Sequence, residues 1–186
     1  MTRPLNIDQL DMVPVPDLGK DQQFELLAIR NQQIVRENSY SSHVIGEGEH
    51  AHWIKRLKTD SSLQFYAVML EGRIVGGVGL RKIDDQHKTA DWSFYVSGAE
   101  HGRGIGLALG VRALDLFFDD LRLSAVKGEA LLLNAASQSY HLKLGFLEVD
   151  RAQHLVMPDN KMAEIVIYSL SAADWALRRV VLLKGG

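Results

Sequence analysis

The sequence predicts one domain of the α/β (α+β) class, and three observations carry this prediction. Two amphipathic segments near the N-terminus repeat apolar residues at helical spacing. Three strand-like segments separated by short turns follow, which is typical of an antiparallel meander. Beyond residue 101 the pattern alternates between helix and strand. The chain has 186 residues, an ordinary length for one domain, and contains no linker-like stretch.

The first third of the chain predicts an edge strand and two helices. Residues 10–15 predict a short edge strand at most, because Pro14 and Pro16 bias their predecessors toward extended geometry and lack a backbone donor. Residues 24–38 and 47–57 each predict a helix, because their apolar residues recur on one side with polar residues opposite.

The middle of the chain predicts the meander, with strands at 65–70, 73–80 and 89–96 and turns at Glu71-Gly72 and at 84–87. Glycines then open a helix that is expected to end near residue 121. The remaining predicted elements are a strand at 125–133, a helix at 137–144 ended by Gly145, a strand beginning at 146–149, a hairpin turn through Pro158-Asp159-Asn160, a last strand at 162–169 and a helical turn at 174–179.

Composition excludes several classes of protein. Hydrophobic residues are 46% and charged residues 24% of the chain, the balance of a soluble globular protein. The formal net charge of −2 argues against a strongly basic nucleic-acid binder. Cysteine is absent, which excludes disulfides, cysteine-ligated zinc and a cysteine nucleophile. No apolar run could span a bilayer and the N-terminus has no signal-type apolar core, so we expect a cytoplasmic protein without membrane or nucleic-acid partners.

A glycine-rich loop is the first candidate functional feature. The run His101-Gly102-Arg103-Gly104-Ile105-Gly106 lies between a predicted strand and a predicted helix. Glycines let backbone amides approach a ligand, and a helix start is a natural phosphate site. The run lacks the Lys-Ser/Thr ending of a Walker loop, and it follows a meander instead of the first strand of a Rossmann unit. The simpler alternative is a helix start that uses glycine only for its turn.

A second motif follows this loop at a defined place. The run Asn134-Ala135-Ala136-Ser137-Gln138-Ser139-Tyr140-His141-Leu142-Lys143-Leu144-Gly145-Phe146 combines an asparagine with a short helix that ends in Gly-Phe. The two motifs together resemble the GNAT superfamily of acetyl-CoA-dependent N-acetyltransferases. The resemblance implies a mixed, mostly antiparallel central sheet flanked by helices, built by a single domain over 1–186 with its core at about 24–175. It also implies acetyl-CoA as the cosubstrate.

The resemblance assigns the cosubstrate to the third strand of the meander and to the glycine loop. Phe94 and Val96 are expected to contact pantetheine through their main-chain groups. Asn134 is expected to contact the cosubstrate or to keep the strands apart, and it is also a candidate helix N-cap. The residues expected to hold the pyrophosphate are Gly102, Arg103, Gly104, Ile105, Gly106 and Leu107.

Three residues are candidates for proton transfer. His141 stands where many members of the superfamily have the tyrosine that returns a proton to the CoA sulfur, and its neighbour Tyr140 is the alternative donor. If neither acts, water supplies the proton. Glu129 lies among apolar residues of a predicted strand, where a carboxylate is unusual unless it faces a cleft, so it is a candidate general base. The alternative for Glu129 is a structural ion pair with Lys127 or Lys143.

A further resemblance is carried by Arg30-Asn31, Tyr40, His43, Glu49-His50, Trp53, Asp91-Trp92-Ser93-Phe94-Tyr95 and Glu129. Together these segments resemble the PseH branch of the superfamily, which acetylates the 4-amino group of a UDP-linked 4-amino-4,6-dideoxysugar in the pseudaminic-acid pathway. The resemblance implies a small-molecule acceptor, namely a nucleotide-linked aminosugar, and is compatible with a homodimer. Arginine forks suit a diphosphate, and aromatic rings suit uracil or a sugar. The acceptor-binding residues that it implies are Arg30, Tyr40, His50, Trp53, Arg81, Lys82, Trp92 and Tyr95.

Two alternative functions stay open. A ribosomal-protein N-terminal acetyltransferase of the Rim type predicts an acidic acceptor groove suited to basic protein tails, which Arg30, Arg81 and Lys82 oppose. A non-catalytic acetyl-CoA-binding module predicts that Glu129 and His141 can be replaced without effect on any activity.

A group of three side chains, Glu49, His50 and His52, also suggests a metal site. Both histidines fall in the helix predicted at 47–57. Side chains two residues apart on a helix point to different faces, so no metal is expected.

Overall fold

The computed structural model describes residues 7–156 and 161–184, which form one seven-stranded sheet with helices packed on it. In chain order the strands are β1 (Leu10–Pro14), β2 (Gln64–Leu70), β3 (Arg73–Asp84), β4 (Thr89–Val96), β5 (Ala125–Leu131), β6 (Leu147–Val156) and β7 (Lys161–Ser171). Their order across the sheet is β1-β2-β3-β4-β5-β7-β6. The predicted α/β class with a mixed, mostly antiparallel sheet is confirmed.

In this part of the chain six α-helices accompany the sheet. The predicted helix over 47–57 is confirmed with two further residues, and the predicted C-terminal cap at Gly145 is also present. The helices are α1 (Lys20–Arg30), α2 (Gln33–Arg36), α3 (Glu47–Thr59), α4 (Ile105–Asp115), α5 (Ala135–Leu144) and α6 (Ala172–Lys184).

The sheet separates two apolar cores. Successive residues of a strand point to opposite faces, so β2 supplies Val68 to one core and Met69 to the other. The larger core contains the buried stripe of α4, including Leu109, and the smaller contains Leu26 of α1 and Ile54 of α3. Fully burying a side chain of this size contributes about 2 kcal/mol, so both layers of helices are held by apolar contact.

The sheet has one parallel pairing among the described strands, and it is short. Three residue pairs join β4 to β5, from Thr89–Ala125 to Asp91–Lys127. Beyond Asp91, β4 continues beside β3 as far as Val96, while β5 continues beside β7 as far as Leu131. The two neighbouring strands therefore separate toward their C-terminal ends and leave a gap in the sheet.

The single helix predicted over 24–38 is wrong, because the chain breaks between α1 and α2. The break lies at Asn31 and Gln32, whose amide side chains bind distant main-chain groups. Asn31 accepts from the Ile45 N–H at 2.8 Å and donates to its carbonyl at 2.9 Å. Gln32 accepts from the Gly98 N–H at 2.8 Å. These tertiary partners outweigh the helical periodicity of the segment.

The C-terminal helical turn predicted at 174–179 is also too short. α6 is a full helix because two of its side chains dock on the buried Asp115 of α4. Trp175 donates to Asp115 Oδ1 at 3.0 Å and Arg179 donates to the same oxygen at 2.7 Å. The hairpin turn predicted through 158–160 lies outside the described residues.

Smaller differences concern the ends of three elements. The helix predicted to reach residue 121 stops at Asp115 and continues as a wider π-type turn, Leu116–Asp120. β5 ends at Leu131, two residues earlier than predicted. The strand predicted to begin at 146–149 extends to Val156, because all of β6 pairs with β7.

Candidate active site

The gap between β4 and β5 forms a cleft of about 720 Å³. This volume lies in the range of ligand sites. The cleft is lined by the C-terminal halves of both strands, by the glycine loop and α5, and by the segment around α2. It therefore brings together residues from distant parts of the chain.

The glycine loop gives the cleft an anion-binding end. Gly102 and Gly104 have φ angles of 75° and 80°, in the left-handed region that favours glycine. Gly104 is the N-cap of α4, and no side chain caps this helix start. The first amides of α4 are therefore free to bind a ligand, with the positive end of the helix dipole behind them. Gly102, Gly104 and Gly106 line the cleft, and their arrangement fits a pyrophosphate.

The other three loop residues expected to bind pyrophosphate are absent from the described lining of the cleft. Ile105 is buried in the larger core, and Leu107 packs against that core. Arg103 donates to Glu100 at 2.8 Å, and this buried carboxylate also pairs with Arg73 at 3.3 Å. The amides of these residues remain part of the helix start, whereas their side chains are used elsewhere.

β4 supplies an extended main-chain edge to the cleft. From Trp92 to Val96, the edge that faces β5 has no ladder partner in the described chain. Free N–H and C=O groups of a strand suit an extended amide chain such as pantetheine. Phe94 and Val96 both line the cleft, and so does Asn134. The Asn134 carboxamide accepts from the Ser137 N–H at 3.0 Å, which makes it the N-cap of α5.

His141 is buried and neutral. Its Nδ1 donates to the Ser137 carbonyl at 2.8 Å, and its Nε2 accepts from the Trp92 indole N–H at 3.2 Å. One neutral tautomer satisfies both bonds. Burial lowers the pKa of His141 to about 4. The preference for His141 as general acid is therefore corrected, because the single N–H of the neutral ring is bound to the Ser137 carbonyl and the other ring nitrogen already accepts from Trp92.

Tyr140 keeps its proton. Its hydroxyl donates to the Gly106 carbonyl at 2.7 Å, and burial raises the pKa of Tyr140. The side chain lines the cleft beside Phe94, with the two ring centroids 4.6 Å apart. Of the two candidate donors, Tyr140 is therefore the one that carries a proton at the cleft.

Gly128 makes the contact between Trp92 and His141 possible. A Cβ at Gly128 would lie 2.4 Å from the His141 Nε2 and 2.6 Å from the Trp92 Nε1. The indole and the imidazole thus occupy the space that any other residue of β5 would fill. Trp92, which was expected to contact the acceptor, lines the cleft but uses its polar group for His141.

Glu129 faces the cleft from β5, and two donors hold it. Arg81 Nη2 lies 2.7 Å from Glu129 Oε2, and the Tyr40 hydroxyl donates to the same oxygen at 2.9 Å. Oε1 has no hydrogen-bond partner among the described residues. The ion pair that the sequence suggested for Glu129 is thus present, but its partner is Arg81 instead of Lys127 or Lys143.

Arg30 and Tyr95, two of the residues expected to bind the acceptor, also line the cleft. Arg30 Nη2 donates to the Ser41 carbonyl at 3.0 Å, whereas its Nη1 is buried without a partner. Arg81 Nε is likewise buried without a partner. Burial lowers the pKa of Arg30 and raises the pKa of Tyr95.

Three expected acceptor-binding residues lie away from the described lining of the cleft. His50 is buried on α3, where it donates to a main-chain carbonyl of α1, and burial lowers its pKa. Trp53 packs edge-on against Phe65, with ring centroids 5.1 Å apart. Lys82 is exposed and pairs with Asp91 at 2.8 Å.

Two aromatic residues at the site were missed. Phe65 lines the cleft, lying flat on β3, where a Cβ at Gly79 would come within 2.1 Å of its ring. Glycines inside a strand indicate such a close approach, so the Gly-Gly-Val-Gly run 76–79 was a usable signal. His154 of β6 stacks on Tyr40. No sequence signal indicated it, because the predicted strand did not extend that far.

The described residues contain no group of three or more His, Asp or Glu side chains that could hold a metal ion. The same part of the chain has no helix long and apolar enough to cross a membrane.

Sequence comparison identifies the family. The family described as acetyltransferase (GNAT) domain matches residues 19–147. A relative from Bacillus subtilis (strain 168), named "Putative ribosomal N-acetyltransferase YdaF", is 23% identical over 155 residues, which are 80% of this chain and 84% of that protein.

Solved structures share the fold. Spermidine N-acetyltransferase from Vibrio cholerae, in complex with CoA and spermine, superposes with a TM-score of 0.81 at 16% identity, covering 91% of this chain and 99% of that one. A structure described as the dodecameric form of the same enzyme superposes with a TM-score of 0.73, also at 16% identity, covering 90% of this chain and 96% of that one. Since the family match spans most of the sequence and the glycine loop and open strand edge fit CoA, the chain belongs to the GNAT acetyltransferase family and is an acetyl-CoA-dependent N-acetyltransferase.

Proposed function

We propose that the chain transfers the acetyl group of acetyl-CoA to the 4-amino group of a UDP-linked 4-amino-4,6-dideoxysugar. The observation that carries this proposal is a pair of guanidinium groups in the cleft. Arg30 Nη1 and Arg81 Nε are buried there, and neither has a hydrogen-bond partner among the described residues. A buried N–H without a partner costs about 1–3 kcal/mol, more when charged, so these groups favour a ligand that accepts from them. Phosphate oxygens are matched acceptors for arginine.

The charge balance of the cleft also supports an anionic acceptor. Its two lining carboxylates are already paired: Glu129 with Arg81, and Glu100 with Arg73 and Arg103. Arg30 has no ion-pair partner among the described residues. A polycation such as spermine, which the Vibrio cholerae neighbour binds, or a basic protein tail would need free carboxylates instead.

Aromatic side chains provide the rest of the acceptor site. Tyr95 and Phe65 stack on each other with centroids 5.8 Å apart, and both line the cleft. Tyr40 lines it from the segment after α2. Rings of this kind suit the apolar faces of a uracil or a deoxysugar.

The reaction needs a neutral amine, a polarised thioester and a proton for the leaving sulfur. Glu129 takes one proton from the ammonium group through its Oε1, which leaves a neutral amine. The amine nitrogen attacks the thioester carbonyl, and a main-chain N–H of β4 stabilises the oxyanion. As the C–S bond breaks, the second proton on the nitrogen passes to the departing sulfur. The Tyr140 hydroxyl turns from the Gly106 carbonyl to donate a hydrogen bond to that sulfur. His141 does not exchange a proton and instead fixes Trp92 beneath the site.

Thiol release from acetyl-CoA by the purified protein tests the proposal. The acceptor panel contains UDP-4-amino-4,6-dideoxysugars, spermidine, an aminoglycoside and basic N-terminal peptides. We expect turnover with the nucleotide sugars only. Turnover with spermidine or a peptide, and none with the sugars, would overturn the proposed acceptor while leaving the acetyltransferase assignment in place.

Arg30→Ala is expected to raise the KM for the nucleotide sugar at least tenfold, on the order expected for a lost charged hydrogen bond, and to leave the KM for acetyl-CoA nearly unchanged. Arg36→Ala is the matched control. Arg36 also holds the segment after α2, by donating to the Ser42 carbonyl at 2.5 Å, but it does not line the cleft. Equal effects of the two substitutions would mean that Arg30 acts only as an anchor of this segment.

A second candidate, acetylation of a protein N-terminus, is favoured by the match to YdaF. The peptide arm of the panel tests it directly. Glu129→Gln is expected to lower acceptor-dependent thiol release strongly, because it removes the proposed base.

A further inference from the structure

Tyr40 connects four parts of the molecule at the acceptor side of the cleft. It belongs to the segment 37–46 between α2 and α3, which has little regular structure. Its hydroxyl donates to Glu129 of β5 at 2.9 Å, and its ring lies 5.9 Å from the Arg81 guanidinium of β3. The same ring stacks on His154 of β6, with the centroids 4.0 Å apart and the planes at 27°.

We propose that His154 is a positioning residue for acetyl transfer, acting through Tyr40 on Glu129. This inference rests on the proposed function, in which Glu129 is the base. His154 does not line the described cleft, so it acts on the reaction only through the ring that it supports.

In the Glu129 carboxylate, Oε1 has no hydrogen-bond donor among the described residues. The orientation of the carboxylate therefore depends on the groups that donate to Oε2. Arg81 and Tyr40 both bind Oε2, which leaves Oε1 for the amine. A misplacement of a reacting group by about 1 Å can cost a hundredfold in rate. Whatever fixes the Tyr40 hydroxyl therefore contributes to the alignment of the base.

The two ends of the Tyr40 side chain are held differently. Its backbone lies next to Ser41, whose carbonyl accepts from Arg30, so the start of the side chain is anchored from α1. The ring is held by stacking on His154. His154 is paired with Ala163 of β7 in the ladder that joins β6 to the sheet. The stack thus connects a residue of an irregular segment to a position that the sheet fixes.

Tyr40 is suited to act as a donor. Burial and the neighbouring Glu129 carboxylate raise the pKa of Tyr40, so the phenol keeps its proton and donates it to the hydrogen bond with Glu129.

Substitution of His154 by residues that remove or keep the stack tests the proposal. We expect His154→Ala to lower kcat about tenfold and to change the KM for acetyl-CoA by less than a factor of about two, as misalignment at the reacting centre would. His154→Phe keeps an aromatic ring against Tyr40 and is expected to restore most of kcat. Gln153→Ala, at the exposed neighbouring position of β6, is the control. An unchanged kcat in His154→Ala, or no recovery in His154→Phe, would overturn the proposal.

Two further variants separate this inference from the function on which it rests. Tyr40→Phe keeps the stack and removes the donor. If His154 acts through Tyr40, then His154→Ala adds little to the loss already caused by Tyr40→Phe; independent, multiplying effects would refute the connection. Glu129→Gln tests the base itself. If Glu129→Gln leaves kcat unchanged the proposed function fails, whereas a large loss there with no effect of His154→Ala refutes only the positioning role.

Discussion

At the scale of single residues, His141 shows how burial decides chemistry. Its position in the second motif is where the resemblance places the general acid. Its buried environment instead makes it a hydrogen-bond acceptor for the Trp92 indole. The imidazole is 1% exposed, and its two nitrogens join α5 to the Trp92 indole. A protonated ring would lose the bond from Trp92 and would carry a charge into an aromatic cluster.

The stability of the protein is therefore expected to depend on the protonation of His141. Its pKa falls from 6.5 in the unfolded chain to about 4 in the folded one. The neutral ring stabilises the fold in full above pH 6.5; this contribution is lost as the pH falls from 6.5 to 4, and does not change further below that. The loss amounts to about 3 kcal/mol. It is measured by urea unfolding at intervals of pH.

His141→Gln provides the comparison, because an amide does not titrate. The stability difference between wild type and this variant should shrink between pH 6.5 and 4. His52→Gln replaces an exposed histidine of α3 and should leave the pH dependence as it is in the wild type. Parallel curves for wild type and His141→Gln would contradict the prediction.

At the scale of elements, the start of α4 depends on a backbone conformation that favours glycine. Gly104 caps this helix with a φ of 80°, whereas Gly19 caps α1 with a φ of −63°. A Cβ meets no atom within 4 Å at Gly104, and only an ordinary 3.7 Å contact at Gly19. The two sites therefore differ in backbone conformation and hardly in space.

Gly104→Ala is expected to destabilise the protein by about 1 kcal/mol more than Gly19→Ala, because only the first forces an alanine into the left-handed region. It should also raise the KM for acetyl-CoA, since relieving the strain moves the amides of the loop. Thermal unfolding and acetyl-CoA titration measure the two effects. If Gly19→Ala lowered the stability and raised the KM for acetyl-CoA as much as Gly104→Ala, the loss of an N-cap glycine alone would explain both effects.

Local signals predicted most elements, and tertiary contacts explain the exceptions. The turn at Glu71-Gly72 and the cap at Gly145 could be predicted because their glycines adopt φ angles of 78° and 97°, which favour glycine. The break after α1 depends on amide side chains that bind residues far away in the sequence, such as Gly98. The length of α6 likewise depends on Asp115. Neither Gly98 nor Asp115 can be identified as a partner from the sequence of the segment alone.

The same contrast between local signals and tertiary contacts applies to the residues of the site. The glycine loop and Glu129 were singled out by local pattern, and Asn134 by the family resemblance, and all of them line the cleft. The partner of Glu129 and the stack of His154 on Tyr40 could not be predicted, because they depend on the register of β3, β5 and β6 across the sheet. The burial of His141 could not be predicted either, because sequence position does not reveal burial.

At the scale of the whole molecule, large apolar side chains are exposed on α6 and on β6. Leu177 of α6 is 74% exposed, Val181 57% and Leu147 of β6 63%. β6 is also an edge strand of the sheet. An apolar edge is typical of a surface that another chain covers. The homodimer stays a prediction: sedimentation velocity should give twice the 20.8 kDa mass of the chain, and a monomer at all concentrations would contradict it.

The short ladder between β4 and β5 has a consequence for how such a protein diversifies. Most groups that fit the common cosubstrate come from β4, the glycine loop and α5, whereas Arg30, Tyr40, Arg81 and Glu129, with His154 behind them, come from other parts of the chain. Of these elements, β4 contributes to both sets, because Tyr95 lies between Phe94 and Val96. Mutations on the acceptor side outside β4 can therefore accumulate without altering the machinery that holds the acetyl donor, so a new amine specificity can arise while the donor stays the same.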